Sequence, residues 1–83
     1  MRITVKLFAI LRDRAGTGEM SLDVTDGASV SMAIVQISQA KPALRENLSR
    51  IATAVNREYV KPDHILRDGD ELALIPPVSG GTR

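Results

Sequence analysis

Residues 67–83 read RDGDELALIPPVSGGTR, and this stretch decides how the fold is interpreted. The run Arg67–Asp70 is typical of a turn, because Asp and Gly favour turn conformations. The apolar run Glu71–Ile75 that follows it indicates a strand. Pro76 and Pro77 then end that strand, since neither can donate a hydrogen bond to a neighbouring strand. The stretch therefore predicts a turn, a last strand and a stiff stem.

Two adjacent glycines, Gly80 and Gly81, follow the proline stem. Glycine loses more conformational entropy on ordering than any other residue, so such a pair near a terminus has no obvious use inside a fold. It is useful where bare backbone must enter a narrow channel and present a terminal carboxyl to another protein's active site. We therefore predict a folded domain over residues 1–75 and a flexible tail over residues 76–83. In that tail Thr82–Arg83 stands where a free glycyl carboxylate is expected.

The N-terminal part of the chain has the pattern of a β-hairpin. Residues 3–7 alternate apolar and polar side chains, which predicts a half-buried strand. The alternation is lost over residues 8–15, and the glycines of residues 16–18 supply a turn. It returns over residues 20–24, which we interpret as the second arm of the hairpin.

The middle of the chain changes to a helical period. Ser29, a residue type favoured at helix N-termini, precedes apolar positions spaced as in a helix over residues 30–40. Pro42 ends that helix and can occupy the first position of a shorter one. Residues 51–55 and 58–60 then indicate two short strands joined by a two-residue turn. The order of elements predicts an α+β domain with one main helix packed on one face of a mixed sheet.

Composition argues against several classes of function. The 83 residues carry a formal net charge of +1 and only two aromatic side chains, which argues against a nucleic-acid-binding surface. No apolar run approaches the ~20 residues that span a bilayer, and the N-terminus does not resemble a signal peptide. We therefore expect a cytoplasmic protein with neither a nucleic-acid nor a membrane partner.

Because the chain has no cysteine, any sulfur that it handles must be carried on another group. The candidate is a C-terminal carboxyl converted to a thiocarboxylate.

Three large side chains are candidates for a docking surface. Phe8 falls where the first strand ends, Tyr59 follows a turn, and Ile75 immediately precedes the stem. Together they form either an exposed apolar patch for a partner or part of the core. Both interpretations are open from the sequence.

Charged residues and the histidine give weaker signals. Lys6, Arg12 and Arg14 either contact an acidic partner surface or form a solvated face. His64 is the one histidine and lies beside Asp63, which favours a turn or surface residue over a metal ligand. We therefore expect no metal site.

Several segments together resemble the small subunit of molybdopterin synthase, the sulfur-carrier family of molybdenum-cofactor biosynthesis. The most specific is residues 66–81, LRDGDELALIPPVSGG, in which PPVSGG directly follows the last strand. Residues 7–12, LFAILR, followed by Gly16, also match the family pattern, as do residues 54–60, AVNREYV. The resemblance covers almost the whole chain up to Gly81.

The resemblance implies a ubiquitin-like β-grasp fold and a chain that is not an enzyme by itself. In this family an E1-like activating enzyme uses ATP to adenylate the terminal glycyl carboxylate, and a sulfur donor protein supplies the thiocarboxylate. The carrier then docks on the large subunit of the synthase, which builds the dithiolene of molybdopterin from cyclic pyranopterin monophosphate. For this sequence the resemblance implies that Gly81 carries the thiocarboxylate after processing, with Gly80 beside it, and that no cofactor stays bound. The expected partner contacts are the three patch residues and the stem, namely Pro76, Pro77, Val78 and Ser79.

Two rival functions remain open. In the first, the chain is a carrier for another pathway, such as thiamine or cysteine synthesis, or a protein modifier linked through Gly81 to lysines. In the second, the chain is a regulatory or RNA-binding β-grasp module that needs no processed end. Thr82–Arg83 departs from the Gly-Gly end of the family. It is a segment that a protease trims after Gly81, a remnant of cloning, or the mark of a paralogue that is never thiocarboxylated.

Overall fold

The structure is a computed structural model that describes residues 1–77. Within residues 1–77, five strands and three helices follow one another in the order β1 (Arg2–Leu7), α1 (Ile10–Ala15), β2 (Glu19–Asp23), α2 (Val30–Ala40), a 3₁₀ helix (Pro42–Arg50), β3 (Ala52–Val55), β4 (Glu58–Val60) and β5 (Glu71–Ile75). The predictions made for residues 78–83, including Gly80 and Gly81, lie outside the described residues.

The strands form a single mixed sheet in the order β2-β1-β5-β3-β4. β1 and β2 form the predicted antiparallel hairpin, with Val5 opposite Met20, and β3 and β4 form a second one. The last strand, β5, enters between the two hairpins, parallel to β1 and antiparallel to β3. This is the β-grasp arrangement that the sequence predicted, with the last strand at the centre of the sheet.

One face of the sheet is covered and carries the core. α2 contributes Val30, Ala33 and Ile37, which are fully buried. Alternate residues of the central strands meet them, and further leucines from α1, the 3₁₀ helix and the turn before β5 close the core at its edges. The largest fully buried side chains are Ile3, Val5, Leu7, Leu11, Val30, Ile37, Leu44, Leu66, Leu72 and Leu74. Burying a large aliphatic side chain stabilises a fold by about 1.5–3 kcal/mol, so these residues hold the helices on the sheet.

The helix boundaries follow from local chemistry. The Ser29 hydroxyl accepts a hydrogen bond from the Met32 amide at 3.2 Å, which caps the first turn of α2 as predicted. At the other end the Lys41 amide donates to the Ile37 carbonyl at 2.8 Å. Pro42 then begins the 3₁₀ helix, where its missing amide hydrogen leaves no bond unmade. The predicted shorter helix is therefore confirmed, as a 3₁₀ rather than an α-helix.

The structure adds a helix that the sequence did not predict. α1 occupies residues where the alternation of β1 is lost, and it ends at Gly16 in the left-handed conformation with φ of 77°. Its only buried side chain is Leu11, so six residues offer no apolar period to recognise. Four strand ends also shift by a residue: β1 begins at Arg2, β2 begins at Glu19 and ends at Asp23, and β3 begins at Ala52. No helix within residues 1–77 is both long and apolar enough to cross a membrane.

Candidate functional site

The face of the sheet opposite α2 carries a shallow trough. Cross-strand register aligns Lys6 of β1 with Ala73 of β5, Ala73 with Ala54 of β3, and Ala54 with Tyr59 of β4. These residues alternate with the core residues of the same strands, so they lie on the open face. Two alanines thus form a low floor between a lysine and a tyrosine.

The trough opens into a cavity of about 520 Å³. Its lining comes from every strand except β2, from α1 and the two turns that flank it, and from the β3–β4 turn: Lys6, Leu7, Phe8, Arg12, Gly18, Ala54, Arg57, Tyr59, Glu71, Ala73 and Ile75. The structure therefore brings together the three predicted patch residues. Phe8 is 47% exposed and Tyr59 is 75% exposed, while Ile75 is half-buried. Neither aromatic ring belongs to the core, so of the two interpretations the structure favours the exposed patch. Partner binding by these residues remains a prediction.

The cavity is also rich in cationic side chains. Lys6 hydrogen-bonds to Glu19 on the neighbouring strand, and this bond, together with the charge of Glu19, raises the pKa of Lys6. Arg12 lies against Gly18, where an added Cβ would come within 3.4 Å of the Arg12 Nε. Arg57 completes the set, although its position in the sequence did not predict a site residue. Arg14, a candidate contact from the sequence, lies 3.8 Å from Glu46 and does not line the cavity.

Backbone strain is concentrated beside this cavity. Among residues 1–77 three non-glycine residues have positive φ: Ala9 at 51°, Asn56 at 51° and Arg57 at 72°. Ala9 directly follows Phe8, and the other two form the turn that leads into β4, the strand that contains Tyr59. Asparagine tolerates this region, but for alanine and arginine such a conformation destabilises the chain by about 1–3 kcal/mol, and strained residues tend to occur at functional sites. Strain next to both exposed aromatic residues supports the assignment of this face as the functional site.

A hydrogen-bond network holds the strained β3–β4 turn against the start of β5. The Asn56 side-chain amide donates to Asp70 Oδ1 at 2.9 Å, and its oxygen accepts from the Glu71 amide at 3.0 Å. The other Asp70 oxygen accepts from the Arg67 amide at 2.8 Å. Asp70 is buried, so these bonds satisfy a carboxylate that would otherwise be costly to bury. The turn that carries Arg57 and leads into β4 is thereby fixed to the strand that leads into the stem.

The stem leaves β5 between two cavities. Ile75 lines the trough, whereas Pro76 and Pro77 line a second cavity of about 470 Å³ together with residues of α1 and the 3₁₀ helix. The remaining predicted site residues, Val78, Ser79, Gly80 and Gly81, lie outside the described residues. Within residues 1–77 no group of three or more His, Asp or Glu side chains is placed to hold a metal ion.

Comparison with known proteins identifies the family and supports the fold. The model of the ThiS family matches residues 5–81. The molybdopterin synthase sulfur carrier subunit of Chlamydomonas reinhardtii is 43% identical over 83 residues, covering 98% of this chain and 100% of that protein. The small archaeal modifier protein 1 of Haloferax volcanii is 37% identical over 92% of this chain and 97% of its own length. Its crystal structure superposes with a TM-score of 0.90 over 98% of this chain and 100% of that chain.

A further solved structure shows a similar chain in a complex. It is the protein–protein complex of subunits 1 and 2 of the molybdopterin-converting factor from Helicobacter pylori. The matching chain is 27% identical, with a TM-score of 0.72 over 98% of this chain and 100% of that one. The chain described here therefore belongs to the ThiS family, which it shares with the molybdopterin synthase sulfur carrier subunits that it resembles.

Proposed function

We propose that this protein is the sulfur carrier subunit of molybdopterin synthase and that Gly81 carries the sulfur. An E1-like enzyme adenylates the Gly81 carboxylate with ATP and releases pyrophosphate. A sulfur donor protein then delivers sulfur at the sulfide level, which displaces AMP from the acyl carbon and leaves a thiocarboxylate. The thiocarboxylate transfers its sulfur to cyclic pyranopterin monophosphate on the large synthase subunit, and water at the acyl carbon restores the Gly81 carboxylate.

The chemistry explains why the chain needs partners. A carboxylate is a poor electrophile until it carries a good leaving group, and adenylation supplies one. A thiocarboxylate is then a strong sulfur nucleophile near neutral pH. In this division of labour the carrier contributes reach and docking, and the catalytic groups belong to the partners.

The observation that carries the proposal is the position of the trough beside the exit of the stem. Ile75 contributes to the trough and Pro76 follows it directly, so a partner seated on the open face meets the start of the tail. Six residues from Pro76 to Gly81 span at most roughly 20 Å when extended, which suffices to enter a buried active site. The complex of two subunits from Helicobacter pylori supports a large subunit as that partner. The family match, which runs to residue 81, supports Gly81 as the reactive end.

The test compares three chains in ATP-dependent adenylation by the cognate activating enzyme: the 83-residue chain, a chain ending at Gly81, and that shorter chain with Gly81→Ala. We expect activity from the second alone. Thr82 and Arg83 move the free carboxyl roughly 7 Å beyond Gly81, and a channel shaped for two glycines excludes the alanine methyl group. Intact mass after sulfur transfer should show one oxygen replaced by sulfur. Equal activity of an untrimmed 83-residue chain, or activity that survives Gly81→Ala, contradicts the proposal.

A second candidate function is protein modification through the same terminal glycine. It is favoured by the similarity to the small archaeal modifier protein 1. A modifier forms an isopeptide bond between Gly81 and a lysine of another protein, so a tagged chain ending at Gly81 should appear in high-mass conjugates in its native cells. A binding module with no carrier function instead keeps its activity when Gly80 and Gly81 are removed.

A further inference from the structure

We propose that Arg57 determines the specificity of partner docking by pairing with a carboxylate of the partner on the open face of the sheet. This inference rests on the proposed function, since it concerns the surface through which the carrier binds the large subunit. The partner segment that fits is acidic, with an apolar side chain that lies on the alanine floor.

The backbone at Arg57 argues against a purely structural role. Asn56 and Arg57 are the two central residues of the β3–β4 turn, and both have positive φ. A two-residue hairpin turn of this kind favours Asn followed by Gly, so Asn56 suits its position. At φ of 72° an arginine is strained where glycine is not. Glycine would suit this backbone better, so the conformation of the turn does not account for an arginine at this position.

The surroundings of Arg57 indicate what its side chain can do. Its side chain lines the trough cavity, and within residues 1–77 it forms no ion pair with any carboxylate. The same is true of Arg12, which lines the cavity from α1. Glu71 is the one acidic residue among the described lining residues, and neither guanidinium lies within 4.0 Å of it. Two arginines are therefore directed at a shared cavity without an anionic partner.

The apolar floor of the cavity would strengthen an ion pair between Arg57 and a carboxylate of the partner. Ala54 is buried although it lies on the open face, and Ala73 and Tyr59 extend this apolar surface. A docked apolar side chain excludes water here, and an arginine–carboxylate pair is stronger and geometrically more selective where water is excluded. Arginine presents its donors in a planar fork that matches a carboxylate, so its charge and shape both select an acidic partner.

The experiment measures the Kd of the full-length chain for the cognate large synthase subunit by calorimetry, at low and high salt. Arg57→Gly should raise the Kd about tenfold at low salt, as expected for one charged interface pair, while its thermal midpoint stays unchanged or rises. Arg57→Gln keeps the strained backbone but loses the charge, so it should lose similar affinity without gaining stability. Lys61→Ala is the matched control, because it removes one positive charge from an exposed residue near the same hairpin that does not line the cavity. Its Kd should stay within about twofold of wild type, as for a charge outside the interface.

Salt separates an ionic role from a steric one. The difference in Kd between wild type and Arg57→Gln should become smaller at high salt, because salt screens a partly exposed ion pair. Wild-type affinity in both Arg57 variants, or an equal loss in Lys61→Ala, overturns the inference while leaving the carrier function intact. A chain ending at Gly81 that is adenylated yet does not bind the large subunit overturns the inference together with the assignment to molybdopterin synthase.

Discussion

Replacing Phe8 with alanine separates docking from folding, because the ring is exposed at the edge of the trough. The side chain is 47% exposed, so about half of its apolar surface contributes to the fold. Full burial of such a side chain is worth about 1.5–3 kcal/mol, and the folded domain should therefore lose about 1 kcal/mol. For a domain of this size that corresponds to a fall in Tm of about 4–8 °C. If the exposed half of the ring is an interface anchor, its removal should weaken binding by about 2 kcal/mol, or roughly thirty-fold in Kd.

The matched control is Leu11→Ala, three residues further along the chain. Leu11 is fully buried, so its truncation leaves a cavity and should destabilise the domain by about 2–5 kcal/mol, without removing any side chain from the docking surface. Urea unfolding gives the stability of both variants, and calorimetry with the large subunit gives their affinity. The reasoning is refuted if Phe8→Ala is as destabilising as Leu11→Ala while its Kd stays at the wild-type value. That result would assign Phe8 to the core.

Two further predictions concern stability. Asn56→Ala should lower the free energy of unfolding by about 2 kcal/mol, because the buried carboxylate of Asp70 loses the hydrogen bond that Asn56 donates to it. Asn56→Gly keeps the left-handed backbone and should lower the free energy of unfolding by nearly as much. A loss in the alanine variant alone would assign the effect to backbone conformation. The hydrogen bond from Arg2 and its charge lower the pKa of Asp23, so the stability that this pair adds is present at neutral pH and is lost as the pH falls through that lowered pKa. The difference in unfolding midpoint between wild type and Asp23→Asn should therefore begin to shrink below about pH 4, the ordinary value for an aspartate, and should disappear only below the lowered pKa. A difference that does not shrink in acid would contradict this assignment.

The sequence predicted the elements whose apolar pattern has several repeats. α2 occupies residues 30–40 and β5 residues 71–75, as predicted, because helix capping in one case and a turn with two prolines in the other mark their ends. α1 was missed because it is short and buries a single residue. Helix propensity and apolar periodicity indicate a helix only over a longer segment, and six residues are too few to show either.

The candidate site was predicted less completely than the fold. Phe8, Tyr59 and Ile75 stood out because large apolar side chains at strand ends are unusual unless they are buried or bind something. The floor of the trough was not predicted, since Ala54 and Ala73 are nineteen positions apart in the chain and meet through the register of β3 with β5. Alanine is also common on every kind of surface, so its type alone carries no signal. Arg57 was missed for a related reason: the turn was expected, but the face on which its side chain lies depends on where the hairpin joins the sheet.

The central position of β5 links the core, the docking surface and the tail. On one face Leu72 and Leu74 are fully buried; on the other Ala73 and Ile75 line the trough. Side chains alternate along a strand, so a slip of one residue would expose the leucines and bury the alanine, and the core thus fixes the register of the whole strand. The same register fixes where Pro76 leaves the sheet, since proline cannot continue the ladder. The distance from the trough to Pro76 is therefore set by the packing of the core. A carrier that must present its terminus at the same depth to successive enzymes requires a fixed exit point of this kind.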